Sequence, residues 1–489
     1  MSKKDDAFEP GKLRQFLISL IANLSSLSFG IMISWPSSTL PQLQGKDSPI
    51  NGGPMTDEAA SWLTGIMCLT AAATSSMVGF SANMLGRKLT ACLMGLPLCL
   101  CWLFTIFATE QWHLFVARFF SGISGGMVLF LIPMYVSEIA SDGIRGMLGS
   151  LMVFLLNGGV LLGYILGALL SYRVCAIVAF LFPLFYIALF VFVPESPVHL
   201  VRRNRINEAT KSLMWLRGSH RPTVEQALSH LQTEAKEQNI TGRTIKLSDL
   251  FRDRATIKGL VITLGLFSSQ QLSGINAVMS YTQSIFETSG SSLSPNNSAI
   301  IVGFIQLCGS FLSTTLMERA GRRSLMLTSC FMMSTCHCIL GVFGYLRTLG
   351  HDVSQFSWIS IVALSFYMIA YSLGMGPGPY VVSSEILSRD ISNLMMTIAM
   401  CYMWLMAFLV VKLFPSIVDA IGMHGCFFLL GGFCAATLLF IFILVPETKG
   451  EPRQVILDRL NGISRPLAEK LYISSSNVIE KRAESPELV

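Results

Sequence analysis

Gln270, Gln271 and Asn276 bring neutral amides together in one apolar segment. An amide side chain donates and accepts at once, as a hydroxyl does. The group therefore suits recognition of a hydroxyl-rich solute better than acid–base or nucleophilic chemistry. On an unbroken helix, at about 100° per residue, Gln271 and Asn276 point about 140° apart. Gly274 lies between them, and a break there lets both face one cavity. The competing reading is that the amides simply bind neighbouring helices together.

Charged chemistry gathers elsewhere. Gly86-Arg87-Lys88 is echoed by Gly321-Arg322-Arg323, and Pro194-Glu195-Ser196-Pro197 by Pro446-Glu447-Thr448-Lys449-Gly450. The echoes fall roughly 240 residues apart, as expected of a duplicated bundle whose halves rock about a shared centre. Acids are absent from span interiors: Glu138, Glu318 and Glu385 lie near one end and Asp419 near the other. An embedded carboxylate is the usual mark of a proton relay, so proton coupling is disfavoured. The polar loops carry no Ser/His/Asp set, metal cluster or phosphate loop, so neither an enzyme nor a cofactor is expected.

These residues must be positioned by membrane helices. Charged residues make up 13% of the chain and apolar ones 52%, more apolar surface than a soluble core can hide. Twelve windows of about twenty residues qualify as spans, centred near Leu24, Thr70, Leu98, Ser124, Val160, Ala188, Gly274, Gly309, Met333, Tyr371, Phe408 and Leu438. The expected organisation is an N-terminus (1–14), a six-helix half (15–193), a linker (194–258), a second half (259–445) and a tail (446–489). Short helices are expected in the linker at 207–216 and 224–238. Lys and Arg crowd the N-terminus, the turn at 86–88, Arg145, 202–254, 319–323, Arg389 and the tail. The alternate loops carry little more than Lys46, Arg173 and Arg347. That asymmetry places both termini in the cytoplasm. The net charge of +6 thus reports orientation, with no reason to invoke nucleic acid. The cysteines, all in or beside apolar runs, read as small hydrophobes.

Seven motifs in order resemble the sugar porter family of the major facilitator superfamily, across nearly the whole chain. They are Arg118-x3-Gly122-x3-Gly126, Pro133-x-Tyr135-x2-Glu138, Arg145-Gly146, Pro194-Glu195-Ser196-Pro197, Gln270-Gln271-x-Ser273-Gly274-Ile275-Asn276, Glu318-Arg319-Ala320-Gly321-Arg322-Arg323 and Pro446-Glu447-Thr448-Lys449-Gly450. Within the family, Ser372-Leu373-Gly374-x-Gly376-Pro377 looks most like insect facilitated trehalose transporters. The resemblance implies an all-α membrane protein of the major facilitator fold, twelve helices in two six-helix halves. It also implies facilitated diffusion of a sugar, trehalose or a related saccharide, through the plasma membrane by alternating access. A sugar sensor with little flux, or a carrier of another polyol, is the alternative.

By that resemblance, Gln270, Gln271, Asn276 and Gln306 bind the solute, with Tyr380 and Trp404 as aromatic walls. Tyr281 falls at an outer gate, and Gly376, Pro377, Gly378 and Pro379 form a hinge. Arg87, Lys88, Glu138 and Arg145, with Glu318, Arg322, Arg323 and Glu385, form ion networks at the cytoplasmic gate. Departures stand beside the matches. Asn83 replaces an Asp of the family pattern, and Ser392 an Arg-Gly position, with Arg389 three residues early; a looser lock is expected. Val153, Met403 and Ala407 occupy places that are polar in hexose carriers. At roughly 0.5–1.5 kcal/mol per hydrogen bond, three losses would weaken a hexose by about ten- to thousand-fold. A bulkier disaccharide can instead use those apolar surfaces.

Overall fold

Backbone N–H and C=O groups in lipid must be satisfied within their own segment. The described residues accordingly form helices and no strand. The computed structural model describes residues 11–462, apart from 142, 219, 241–246, 252, 290–292, 352–353 and 389–390. Arg389, the first ten residues and the tail beyond 462 therefore lie outside the described residues, as does the side chain of Glu318.

The first six helices are α1 (Lys12–Gln44), α2 (Asp57–Leu85), α3 (Arg87–Ile106), α4 (Gln111–Ile139), α5 (Arg145–Leu169) and α6 (Tyr172–Phe190). Ala188, expected as a span centre, falls near the end of α6. The polar signal of Pro194-Glu195 sits closer to the helix than the hydropathy window suggests. Short helices α7 (Pro197–Arg202), α8 (Ile206–Leu216) and α9 (Arg221–Ile240) follow, packed through Leu200, Val201 and Ala209. The later helices are α10 (Arg254–Leu272), α11 (Ile275–Ser289), α12 (Pro295–Ala320), α13 (Arg322–Thr348), α14 (Trp358–Ala370), α15 (Gly378–Ile386), α16 (Ser392–Leu444) and α17 (Arg453–Asn461).

Among the described residues, nine helical segments are long and apolar enough to cross a membrane. One, Leu394–Leu444, has 51 residues. At about 1.5 Å per residue it far exceeds a hydrocarbon core of about 30 Å, so it cannot be one straight crossing. Its helical course is interrupted at Gly422 (φ 74°).

Helices α1 to α6 pack on one another, and α10 to α16 do likewise; α1–α11, α2–α16 and α5–α12 join the two groups. Close contacts explain several small residues. A Cβ at Gly122 of α4 would fall 1.7 Å from the Thr70 hydroxyl of α2, and one at Gly126 2.7 Å from the Ala71 carbonyl. This is the small-x3-small packing that the sequence suggests. The turns bearing Arg87 and Arg322 share one face with the linker helices, called the basic face below.

Candidate functional site

Helix α10 stops at Leu272 and α11 begins at Ile275 because Gly274 takes φ +86°, a conformation that strains any residue with a Cβ. The break frees the Ser273 carbonyl. It accepts from Nε2–H of His337 and from the Tyr367 hydroxyl, both at 3.0 Å. A carbonyl only accepts, which fixes the His337 proton on Nε2. Beyond the break Asn276 turns back, and its Nδ2 donates to Gln271 Oε1 at 2.6 Å. Gln271 Nε2 donates to Gln270 Oε1 at 3.3 Å. Gln270 Nε2 in turn donates to the carbonyls of Met375 (3.0 Å) and Gly376 (2.8 Å). The amides thus form one chain from α11 to the break between α14 and α15.

That second break has its own cause. Pro377 and Pro379 lack N–H groups, so the helix cannot run on with its regular bonds. It widens into a π-helical turn over Tyr371–Met375, closed by the Gly376 N–H on the Tyr371 carbonyl at 2.7 Å. Gln270 occupies the carbonyls freed there. Gly378 and Pro379 open α15, and Tyr380 sets its ring edge-on to Phe267 with centroids 5.0 Å apart. Its hydroxyl reaches the Met403 sulfur at 3.1 Å.

The remaining expected binding residues bridge the two helix groups. Gln306 Nε2 donates to Asn157 Oδ1 of α5 at 3.2 Å, and Asn157 Nδ2 donates to Ser310 at 2.9 Å. Trp404 lies edge-on to Phe29 of α1 at 6.3 Å, and its buried indole N–H makes no hydrogen bond among the described residues. Val153 is exposed, whereas Met403 and Ala407 are buried. The structure therefore joins Gln270, Gln271 and Asn276 directly and places Gln306 in a separate pair.

Towards the face opposite the basic one, further bonds cross between the groups. Tyr281, where α11 loses helical geometry, shares a hydrogen bond with Thr64 at 3.1 Å and stacks on Phe414. The Gln283 N–H donates to the Ser37 hydroxyl at 3.1 Å, and the Tyr164 hydroxyl to the Met279 carbonyl at 3.0 Å. Lys412 donates to Ser61 at 2.7 Å and lies 4.6 Å over the Trp62 ring. Lys412 escaped the sequence reading because a lone cation in a long apolar run belongs to no motif.

On the basic face, the Arg87 guanidinium grips Glu138 through Nη2 (2.9 Å) and Nε (3.0 and 3.2 Å). The Ser196 hydroxyl also donates to Glu138. Arg87 Nη1 reaches Asn83 Oδ1 at 3.2 Å and His199 Nδ1 at 2.8 Å. Since arginine only donates, His199 accepts on Nδ1 and is neutral. Burial first, then Arg87 and Arg203, hold its pKa below the ordinary 6.5. Lys88 enters through its backbone: its N–H and that of Arg87 donate to the Glu195 carboxylate at 3.0–3.2 Å.

The second basic turn repeats the device. Glu447 accepts from the N–H groups of Arg322 (3.0 Å) and Arg323 (3.2 Å), as Glu195 does at the first turn. Both turns start on glycines with φ above +90°, Gly86 and Gly321. Arg322 pairs with Glu385 at 3.1 Å, and Arg323 donates to the Phe442 carbonyl at 2.5 Å. Arg145 is exposed at the start of α5. The sequence reading noted both echoing motifs but not that each Glu docks on its own Gly-Arg turn. The docking distance in sequence differs, 108 residues in one case and 125 in the other, which hides the correspondence.

Among the described residues, two groups of helices pack together through α1–α11, α2–α16 and α5–α12, the second group broken at Gly274, Pro377 and Gly422; this is the arrangement of an integral membrane protein of the major facilitator fold. Solved structures agree on that fold. The partially occluded inward-open xylose transporter XylE from E. coli superposes with a TM-score of 0.73 at 22% identity, covering 90% of this chain and all of that one. The major facilitator proton:xylose symporter XylE bound to 6-bromo-6-deoxy-D-glucose gives 0.72 at 23% identity, covering 92% and 99%. A family model described as "Sugar (and other) transporter" matches residues 18–456. The chain belongs to that family and is a multi-pass membrane protein. Among curated relatives, the facilitated trehalose transporter Tret1 of Anopheles gambiae is 34% identical over 448 residues, 92% of this chain and 56% of its own length. That of Polypedilum vanderplanki is 33% identical over 92% of this chain and 88% of its own length. The chain thus spans a little over half the length of the Anopheles relative.

Proposed function

We propose that this protein is a facilitative carrier, not an enzyme, that moves trehalose or a related saccharide across the plasma membrane by alternating access. Its twelve spans are α1 to α6, α10 with α11, α12, α13, α14 with α15, and the two limbs of α16 about Gly422. Residues 15–193 and 259–445 form the moving halves, 194–258 the linker, and both termini are cytoplasmic, which makes the basic face the inner one. The names of the insect relatives support the substrate class.

The observation that carries the reading is the amide chain Asn276–Gln271–Gln270, which ends on the freed carbonyls of the α14–α15 break. These amides satisfy one another. A sugar hydroxyl that inserts at Gln271 or Asn276 exchanges one neutral hydrogen bond for another, at little desolvation cost. Displacing that chain loosens the hold of Gln270 on the hinge, so binding and rocking of the halves are linked. The unbonded indole N–H of Trp404 offers a further donor, Tyr380 an aromatic wall, and Gln306 becomes available when its tie to Asn157 opens. Tyr281 closes the outer side against Thr64; Arg87, Lys88, Glu138 and Arg145, with Glu318, Arg322, Arg323 and Glu385, serve the inner gate.

Uniport is supported by the surroundings of Arg118. Its guanidinium donates to the Met32 carbonyl at 2.8 Å and lies 4.6 Å over Trp35, and α1 carries no carboxylate to take up a proton beside it. Uptake of radiolabelled trehalose and glucose by reconstituted vesicles, with and without a proton gradient, tests the reading. Saturable trehalose entry that ignores the gradient is expected. Acceleration by the gradient overturns uniport, and binding without entry points to a sensor.

A further inference from the structure

A hollow opens among the later helices, away from the amide chain. It has a volume of about 390 Å³, in the range of small-molecule sites, and lies between α11, α13, α14 and α16. Its lining is graded. Arg347, in the last turn of α13, is exposed, and His424, just past the bend at Gly422, is half-buried. Phe286, Phe343 and Phe427 wall the interior and are buried. Ser360, 1% exposed, also lines the hollow, and its hydroxyl makes no hydrogen bond among the described residues. A buried hydroxyl left unpaired is costly unless a ligand or an ordered water supplies its partner.

A cationic rim where α13 ends, an aromatic interior and one buried hydroxyl match the polarity order of an amphiphile at the membrane interface. We infer that this hollow is a binding site for a single-chain anionic phospholipid from the surrounding leaflet. The phosphate is held at Arg347 and His424, where a dianionic oxygen cluster suits a guanidinium. A glycerol or ester oxygen takes the Ser360 hydroxyl, and the acyl chain starts along the phenylalanines. Phe286 lies in the part of α11 beyond the irregularity at Tyr281, the same part whose Gln283 N–H bonds Ser37 of the first six helices. An occupant therefore leans on the closed outer side. The site stands apart from the amide chain and does not depend on which solute, if any, is carried there.

Native mass spectrometry of the full chain in detergent, titrated with an oleoyl lysophosphatidate, tests the inference. One saturable equivalent is expected, with the uncharged monooleoylglycerol at least ten-fold weaker on the unmodified protein. Arg347→Gln is expected to weaken the lysophosphatidate at least five-fold. A photoreactive lysophosphatidate should label peptides covering 340–348 and 422–427. Equal binding of the charged and uncharged lipids, non-saturating adducts, or labelling spread over all lipid-facing peptides overturns the site, whatever the variant does.

Discussion

At the first basic turn, the side chains of Arg87 and Glu138 are 2% and 11% exposed; at the second, those of Arg322 and Glu385 are 18% and 27% exposed. Both turns share a glycine start, two backbone N–H groups on a glutamate from a Pro-Glu pair, and an arginine–carboxylate bond. What differs is burial. Arg87 is also held by the Ala82 carbonyl, Asn83 and His199, the last supplied by α7 of the linker. The same duplicated motif therefore builds a buried anchor in one half and a wetter, weaker clasp in the other. The inner gate proposed above would release more easily at the second.

Breaking one partner of each pair probes this contrast most strongly. Glu138→Gln leaves a buried guanidinium without its carboxylate and should cost about 3–5 kcal/mol, whereas Glu385→Gln should cost about 0–1 kcal/mol. Thermal unfolding of the purified protein in detergent reads both; equal losses would erase the distinction. Next come the glycines. Gly86→Ala and Gly321→Ala each force a strained backbone, about 1–3 kcal/mol. The first should be the worse, because its Cβ would fall 2.4 Å from Glu195 Oε2, against 2.9 Å from Glu447 Oε2 at Gly321. A larger loss at Gly321 would contradict the tighter docking.

Acidity sharpens the comparison further. His199 has a folded pKa below the ordinary 6.5, so below that pH the unfolded chain takes up a proton that the folded one resists. Its contribution to stability is complete above about pH 6.5 and is lost as the pH falls below it. Melting temperatures measured between pH 7.5 and 5.5 should fall in the parent, and part of that slope should vanish in His199→Gln. An identical slope in both would remove His199 from the anchor. A comparably small effect is expected at the opposite face. Lys412→Met loses a hydrogen bond and a cation–π contact, together about 1 kcal/mol. Faster labelling of a cysteine placed at Ser61 in that background would show that face opening; unchanged labelling would show that Lys412 contributes no closure.

The apolar helices and the breaks at Gly274 and Pro377 are legible because they rest on local chemistry: apolar length, a glycine between amides, prolines without N–H groups. Asn276 and Gln271 meet as the Gly274 break suggests. The partners that complete the site were not legible. His337 and Tyr367 cap the Ser273 carbonyl from helices 64 and 94 residues away in sequence, and neither sits in a recognisable pattern. The motif marks Gln270 as a candidate solute ligand but gives no sign that its amide also donates to the carbonyls of Met375 and Gly376. Asn157 was passed over because its partners, Gln306 and Ser310, lie about 150 residues on in sequence.

Gln271 is the middle link of the amide chain, and its removal is the most direct test of the account. Initial rates of trehalose entry should be compared in vesicles carrying equal amounts of folded parent and Gln271→Ala protein. Two lost neutral hydrogen bonds predict a fall of about ten-fold or more. Entry at the parental rate would contradict a solute path through those amides.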